Sequence, residues 1–200
     1  GDVTNWREDL DDILAEKGAE ALLLYSESFK DANMYYLTKF LAPDPFIFLK
    51  EVESDPVIII NQMEYPRAQN ESIVKDVRSY AEYNFTEVVK AAEEPRLGNM
   101  KFIATVAKRE LGTNMRICVP PNFPAMAADV LREEGLTIKP IFDVIEKARE
   151  TKDADEIDEI RAVQATAEKV MAEATDLIAN AEADTKGTLF IKKEGKKEPL

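Results

Sequence analysis

The chain has 200 residues, of which 45% are hydrophobic and 32% charged, a composition typical of a folded domain and not of a disordered chain. Its formal net charge is −13. Anionic phosphate groups repel such a chain, so we expect neither nucleic acid nor membrane as a partner. The chain contains no histidine, which excludes Ser-His-Asp and Cys-His catalytic sites and leaves only carboxylates as candidate metal ligands.

The single cysteine, Cys118, cannot form an internal disulfide. This is consistent with a reducing cytoplasm, where we expect the protein to be located. Cys118 lies between Ile117 and Val119 in a strand pattern, so we interpret it as a buried structural thiol and not as a nucleophile. The acidic residues Asp11-Asp12 and those within 153–159 lie on helical patterns that do not converge, and we interpret them as solvated helix faces.

Hydrophobic periodicity, capping residues and turn residues predict the elements of residues 1–150 in chain order. The first half contains a helix that Thr4 caps and Lys17-Gly18 ends, strands at 21–25, 46–49, 57–60 and 76–80, and helices at 31–38 and 64–72. The second half contains helices at 86–92, 99–111, 124–134 and 142–149 and strands at 115–119 and 137–139. Because strands alternate with helices and a hairpin joins 46–49 to 57–60, we predict a three-layer α/β/α fold with a mixed sheet.

Residues 153–181 predict one long helix after this fold. Asp153 is the predicted N-cap, and apolar residues recur at spacings of three and four from Ile160 to Ala181, which is the pattern of a single apolar stripe. Thr151-Lys152 precedes this helix and is the predicted domain boundary.

The predicted domains are therefore residues 1–150 and 151–200. Beyond the long helix, a strand is expected at 188–191, and the lysine-rich residues 192–197 are expected to form a solvated polar end.

Two stretches resemble the creatinase/prolidase family. Residues 33–40, with the sequence NMYYLTKF, resemble the N-x-x-Y-L-T-G-F turn of the family's N-terminal domain. Residues 145–161, with the sequence IEKARETKDADEIDEIR, are similar to the R-x-x-K-s-x-x-E-I-x-x-I/L-R run that leads from that domain into the catalytic one. Lys39 stands where the family usually has glycine, so we expect that turn to have a different backbone conformation.

The resemblance implies a creatinase N-terminal-domain-like, ribonuclease H-like fold for residues 1–150. Residues 151–200 would be the first helix and the start of a truncated C-terminal "pita-bread" catalytic domain. That domain binds two divalent metals (Mn, Co or Zn) through two Asp, one His and two Glu in the family. No stretch of this chain matches those ligand motifs, so we expect this fragment to hold no cofactor and to be inactive.

The resemblance also implies the function and partners of the chain. It would be the non-catalytic N-terminal domain of an Xaa-Pro peptidase, with roles in dimerisation and substrate access. Its partners would be its own catalytic domain and a second copy in a homodimer. Tyr36, Phe40 and Arg67 are the candidate residues of a substrate-facing or dimer surface, although core packing of the two aromatic residues and a plain surface role for Arg67 remain open.

A second hypothesis needs no catalytic domain. The chain would be a free-standing α/β binding or interaction module that self-associates through the apolar stripe of the helix at 160–181. A receiver-like domain fits less well, because Asp11-Asp12 lie within a helical pattern and not after a strand.

Overall fold

The computed structural model describes the backbone of residues 5–183, 189–193 and 196–199, and the side chains of residues 9–150, 158 and 161–181. The chain forms two compact units that divide between Lys152 and Asp153. Thr4, the predicted N-cap of the first helix, lies outside the described residues.

The first unit contains a six-stranded mixed sheet. Its strands are β1 (Ala21–Ser26), β2 (Phe46–Glu51), β3 (Val57–Ile60), β4 (Asp76–Ser79), β5 (Arg116–Val119) and β6 (Thr137–Pro140), in the order β4-β3-β2-β1-β5-β6. β2 runs antiparallel to both β1 and β3, and the pairs β3–β4, β1–β5 and β5–β6 are parallel. The predicted hairpin between the second and third strands is confirmed.

Helices cover both faces of this sheet. They are α1 (Asn5–Glu16), α2 (Ala32–Thr38), α3 (Tyr65–Glu71), α4 (Phe85–Ala91), α5 (Gly98–Leu111), α6 (Ala125–Glu133) and α7 (Val144–Ala179), with 3₁₀ turns at Tyr80–Tyr83 and Pro95–Leu97. The predicted helices of residues 1–134 correspond to α1–α6 with ends that differ by one or two residues, which is the usual uncertainty of helix boundaries.

Alternating side chains of the strands build two cores. In β1, Leu22 and Leu24 belong to the core beneath α1, α2, α3 and the start of α7, and Ala21 and Leu23 belong to the core beneath α5 and α6. All four are buried. Because successive strand residues point to opposite faces, an apolar run on a central strand requires helices on both sides. The predicted three-layer fold with a mixed sheet is confirmed.

The break predicted between residues 149 and 153 is wrong. The structure has one helix, α7, from Val144 to Ala179, so Asp153 is not an N-cap. Residues 144–179 contain neither glycine nor proline, so no residue there interrupts the helical hydrogen bonds.

The second unit also contains a small antiparallel sheet with the strands β7 (Glu182–Ala183), β8 (Leu189–Lys193) and β9 (Lys196–Pro199). The predicted strand at 188–191 corresponds to β8, with Thr188 outside the described residues. Within the predicted polar end, Lys192 and Lys193 are paired in register with Lys197 and Lys196. The side chains of these lysines lie outside the described residues, so the solvation expected for 192–197 stays a prediction.

Lys50 is a buried cation on the α1 side of the sheet. Its side chain is 1% exposed, and its ammonium lies 2.6 Å from Asp11 Oδ1 and donates to the carbonyl of Ser54 at 2.9 Å. Asp11 Oδ2 also accepts a hydrogen bond from the backbone N–H of Glu53. The interpretation of Asp11 as part of a solvated helix face is therefore wrong, whereas Asp12 is exposed as expected. A buried ammonium needs a counter-charge because water no longer stabilises it.

Lys39 ends α2 in the left-handed conformation, with φ 49° and ψ 28°. Its N–H donates to the carbonyl of Tyr35 at 2.6 Å. Lysine here adopts the conformation that glycine favours after a helix, and the expected difference from the backbone of the family's turn stays a prediction. Its ammonium lies 5.4 Å and 5.2 Å from the ring centroids of Tyr35 and Tyr36, and this attraction partly offsets the backbone strain.

We expect Asp11→Ala to lower the free energy of unfolding by about 2–4 kcal/mol, because it leaves the Lys50 ammonium buried without its carboxylate. Adding Lys50→Met should recover part of the loss, since no buried charge then remains. Urea denaturation of the single and double variants measures both effects, with Asp12→Ala as the exposed control. Equal losses for Asp11→Ala and the double variant would contradict this account.

At position 39, we expect the glycine variant to be about 1 kcal/mol more stable than the alanine variant, because both lose the ammonium but only glycine is unstrained at positive φ. Thermal and urea unfolding of Lys39→Gly and Lys39→Ala give the difference directly. Identical stabilities would mean that the left-handed turn costs alanine nothing here.

Candidate functional site

The first motif folds as a capped helix. The Asp31 carboxylate accepts hydrogen bonds from the backbone N–H groups of Asn33 at 2.9 Å and Met34 at 3.2 Å, which satisfies two donors that the first turn of α2 cannot pair internally. The left-handed Lys39 ends the helix and directs the chain to Phe40, which is fully buried. The motif therefore determines the length of α2 and the direction of the chain beyond it.

Asn33 joins α2 to the first turns of α7. Its side-chain N–H donates to Glu146 Oε1 at 2.9 Å, and its side-chain oxygen accepts from Arg149 Nη1 at 3.0 Å. Glu146 and Arg149 are three residues apart and so lie on one side of the helix. The Asn33 carboxamide thus donates a hydrogen bond to a carboxylate and accepts one from a guanidinium. We call Asn33, Glu146 and Arg149 the Asn33 junction.

Tyr36 strengthens the same contact. Its side chain is 8% exposed, and its hydroxyl donates to the backbone carbonyl of Ala148 at 3.4 Å. The guanidinium of Arg149 lies 5.7 Å from the centroid of the Tyr36 ring. The two stretches that carry the family resemblance are more than 100 residues apart in sequence, and they meet at this point of the fold.

Phe40 and Arg67 form a second contact. Phe40 packs against Phe46 with the ring centroids 6.1 Å apart and nearly perpendicular, and the Arg67 guanidinium lies 5.1 Å from the Phe40 ring centroid. Arg67 pairs with Glu64 at 2.5 Å and Glu71 at 3.1 Å, and its side chain is 46% exposed. Of the three candidate residues, Arg67 alone is well exposed. A carboxylate from outside the chain would have to compete for its guanidinium with Glu64 and Glu71.

Asn33, Glu146 and Arg149 were not among the residues predicted for the site. A signal for them exists, since all three are polar positions within the two stretches that resemble the family. The sequence does not show that these positions are partners, because their contact depends on two helices covering the same face of the sheet.

Neither a reactive thiol nor a cluster of metal-ligating side chains is present among the described residues. Cys118 is 1% exposed, and burial raises the pKa of its thiol to about 12, so it remains protonated near neutral pH and is a poor nucleophile. Its interpretation as a buried structural thiol is confirmed. Among the residues whose side chains are described, no three of the types His, Cys, Asp and Glu lie close enough together to hold a metal ion.

None of the described helices combines the length and the apolar character that a membrane span requires.

Comparison with solved structures finds the same fold in proline-specific peptidases. The aminopeptidase P, or Xaa-Pro aminopeptidase, of Streptococcus thermophilus matches with a TM-score of 0.50 and 18% identity over 72% of this chain and 95% of that one. The prolidase of Pyrococcus horikoshii OT3 matches with a TM-score of 0.53 and 16% identity over 90% of this chain. The Xaa-Pro dipeptidase of Bacillus anthracis matches with a TM-score of 0.53 and 15% identity over 74% of this chain.

This chain spans 45% of the length of that prolidase and 36% of that dipeptidase. A comparison with curated proteins finds no match. The family model described as the Creatinase/Prolidase N-terminal domain matches residues 7–151, a range that includes the whole sheet, both cores and the Asn33 junction. The chain therefore belongs to the creatinase/prolidase N-terminal domain family.

Proposed function

We propose that this chain is the non-catalytic N-terminal domain of an Xaa-Pro peptidase-like, metal-dependent hydrolase. In this proposal residues 1–150 are the N-terminal domain, and residues 151–200 are the first helix and the start of the catalytic domain. The match to a prolidase that covers 90% of this chain and 45% of the prolidase supports such an arrangement. The partners of the chain would be its own catalytic domain and a second copy of the protein. The protein would be located in the cytoplasm.

The Asn33 junction is the observation that carries the proposal. An N-terminal domain that shapes access to a neighbouring active site must hold the connection to the next domain in a defined direction. Asn33 and Tyr36 hold residues 146–149 by three hydrogen bonds, at the end of the first unit from which α7 continues. These contacts suit a domain whose role is to orient the next domain of the protein.

The chemistry would be supplied by residues outside this sequence. Two divalent metals, Mn, Co or Zn, would activate a water molecule for attack on the peptide bond before proline. Within this chain, we propose that Arg67 contributes to a substrate-facing or dimer surface, because a guanidinium recognises carboxylates. Phe40 would support Arg67 from beneath, and Tyr36 would act through its contact with α7.

A second candidate function rests on the second unit. Among the α7 side chains that the structure describes, five large apolar ones are exposed there, namely Val163, Val170, Met171, Leu177 and Ile178. A helix with such a surface can associate with a second copy, as a free-standing interaction module would. If the chain is part of a peptidase, residues of the catalytic domain would cover this apolar surface instead of a second copy.

We expect the purified chain not to hydrolyse dipeptides that end in proline, with or without Mn²⁺ or Co²⁺, because it has no histidine and its described carboxylates do not converge. A longer protein that continues with two Asp, one His and two Glu should hydrolyse them when loaded with metal. Release of free proline measures the hydrolytic activity of both proteins. Turnover by the purified chain would refute its non-catalytic role.

The second candidate function is tested by the oligomeric state of the chain. A dimer of the chain that Met171→Glu dissociates would favour the interaction module.

We expect Asn33→Ala to lower the free energy of unfolding by about 1–3 kcal/mol, because Glu146 and Arg149 each lose a half-buried partner. Hydrogen exchange at the backbone amides of residues 146–150 should become faster, since the first turns of α7 are then less well held. Asn70→Ala is the matched control, because Asn70 is an exposed residue of α3. If both variants exchange alike at 146–150, Asn33 does not hold α7.

A further inference from the structure

The exposed apolar residues of the first unit concentrate at one edge of the sheet. Phe29, Met63, Met126 and Phe142 follow β1, β3, β5 and β6, and Leu41 precedes the antiparallel β2. Their exposed fractions are 70%, 90%, 57%, 74% and 45%, respectively. Parallel strands end at the same edge, and an antiparallel strand begins there. We call this the carboxyl edge.

This concentration is selective. Among residues 9–150, Tyr35 is the only other large apolar residue with an exposed side chain. Single exposed apolar residues are common on protein surfaces, whereas their concentration at one edge directs the search for an interaction site there.

Two depressions lie side by side at the carboxyl edge. The larger, of about 410 Å³, is lined by Asp44, Met63, Tyr80, Phe85 and their neighbours. The smaller, of about 340 Å³, is lined by Tyr25, Lys30, Asp31, Pro45 and their neighbours. Asp44 and Pro45 separate the two depressions, and the Tyr80 hydroxyl donates to the Pro45 carbonyl at 3.1 Å. We call the pair the Asp44 groove.

The charge of this groove is not balanced from within. Arg67 pairs with Glu64 and Glu71, and Lys30 lies 3.7 Å from Glu27. Within the part of the chain whose side chains are described, the Asp44 carboxylate makes no hydrogen bond and no ion pair. Burial raises the pKa of the Tyr25 hydroxyl and that of the Tyr80 hydroxyl above the ordinary value for tyrosine. The nearby Asp44 carboxylate raises both pKa values further. Asp44 is therefore a carboxylate with no cation partner among the described side chains, and it shares its depression with Met63, Tyr80 and Phe85.

We propose that the Asp44 groove binds a polypeptide segment in which a lysine or arginine stands beside apolar side chains. The cation would pair with Asp44, and its aliphatic stem would lie along Tyr80 and Phe85. A neighbouring apolar side chain would cover Met63, whose side chain is 90% exposed. Acidic segments and nucleic acid are disfavoured by the same unpaired carboxylate.

The test uses the whole chain and a fluorescein-labelled synthetic peptide, Gly-Ser-Leu-Lys-Leu-Lys-Leu-Ser-Gly. A second peptide carries Glu in place of each Lys. Fluorescence anisotropy should show the Lys peptide bound at least about tenfold more tightly than the Glu peptide, and raised salt should reduce the difference. The assay needs no catalytic activity, so its outcome does not depend on the peptidase proposal.

Variants identify the groove as the binding surface. Asp44→Asn should weaken binding of the Lys peptide about five- to tenfold, and Met63→Ser should also weaken it. Asp12→Asn, which removes an exposed charge from α1, should leave it unchanged. Both groove residues are exposed, so circular dichroism should show folded variants.

Three outcomes would overturn the proposal. The first is equal or absent binding of the Lys and Glu peptides, and the second is unchanged binding by Asp44→Asn. The third is a dimer in sedimentation velocity that Met63→Ser dissociates, because the occupant of the groove would then be a second copy of this chain.

Discussion

The structure depends on one constraint, namely that the central strands of the sheet are buried on both faces. β1 and β2 place alternate apolar side chains in two separate cores, so neither face can be left to solvent without exposing a large apolar area. α1, α2, α3 and the start of α7 must then share one face. That sharing brings residues near 33 and near 146 together, although the whole of β2 to β6 separates them in the chain.

The two stretches that resemble the family therefore have a structural role before they have a functional one. Asn33 contacts two charged residues of α7, Tyr36 donates to its backbone, and Lys39 supplies the left-handed residue that ends α2. None of these groups is arranged as a catalytic site. Their combined effect is to hold the first turns of α7 against the sheet.

The acidic character of the chain is used in distinct ways. Asp11 compensates a buried ammonium, Asp31 caps α2, and Glu146 belongs to the Asn33 junction. Asp44 has no partner among the described side chains, and it lies where the apolar residues are exposed. A net charge describes none of these roles, because each depends on whether a carboxylate meets a backbone N–H, a cation or solvent.

Several features were determined by the sequence alone. The strand and helix order, the hairpin at 46–60 and the buried Cys118 follow from periodicity and turn residues, which act over a few neighbouring positions. The continuity of α7 was missed, because capping residues at 153–156 resemble a helix start even where no residue stops the preceding helix. Only the tertiary structure decided that Asp11 pairs with Lys50, that Asn33 joins α7, and that Phe40 is buried beneath Arg67. Each of these contacts joins residues distant in sequence, and their distance in space depends on how the helices pack on the sheet.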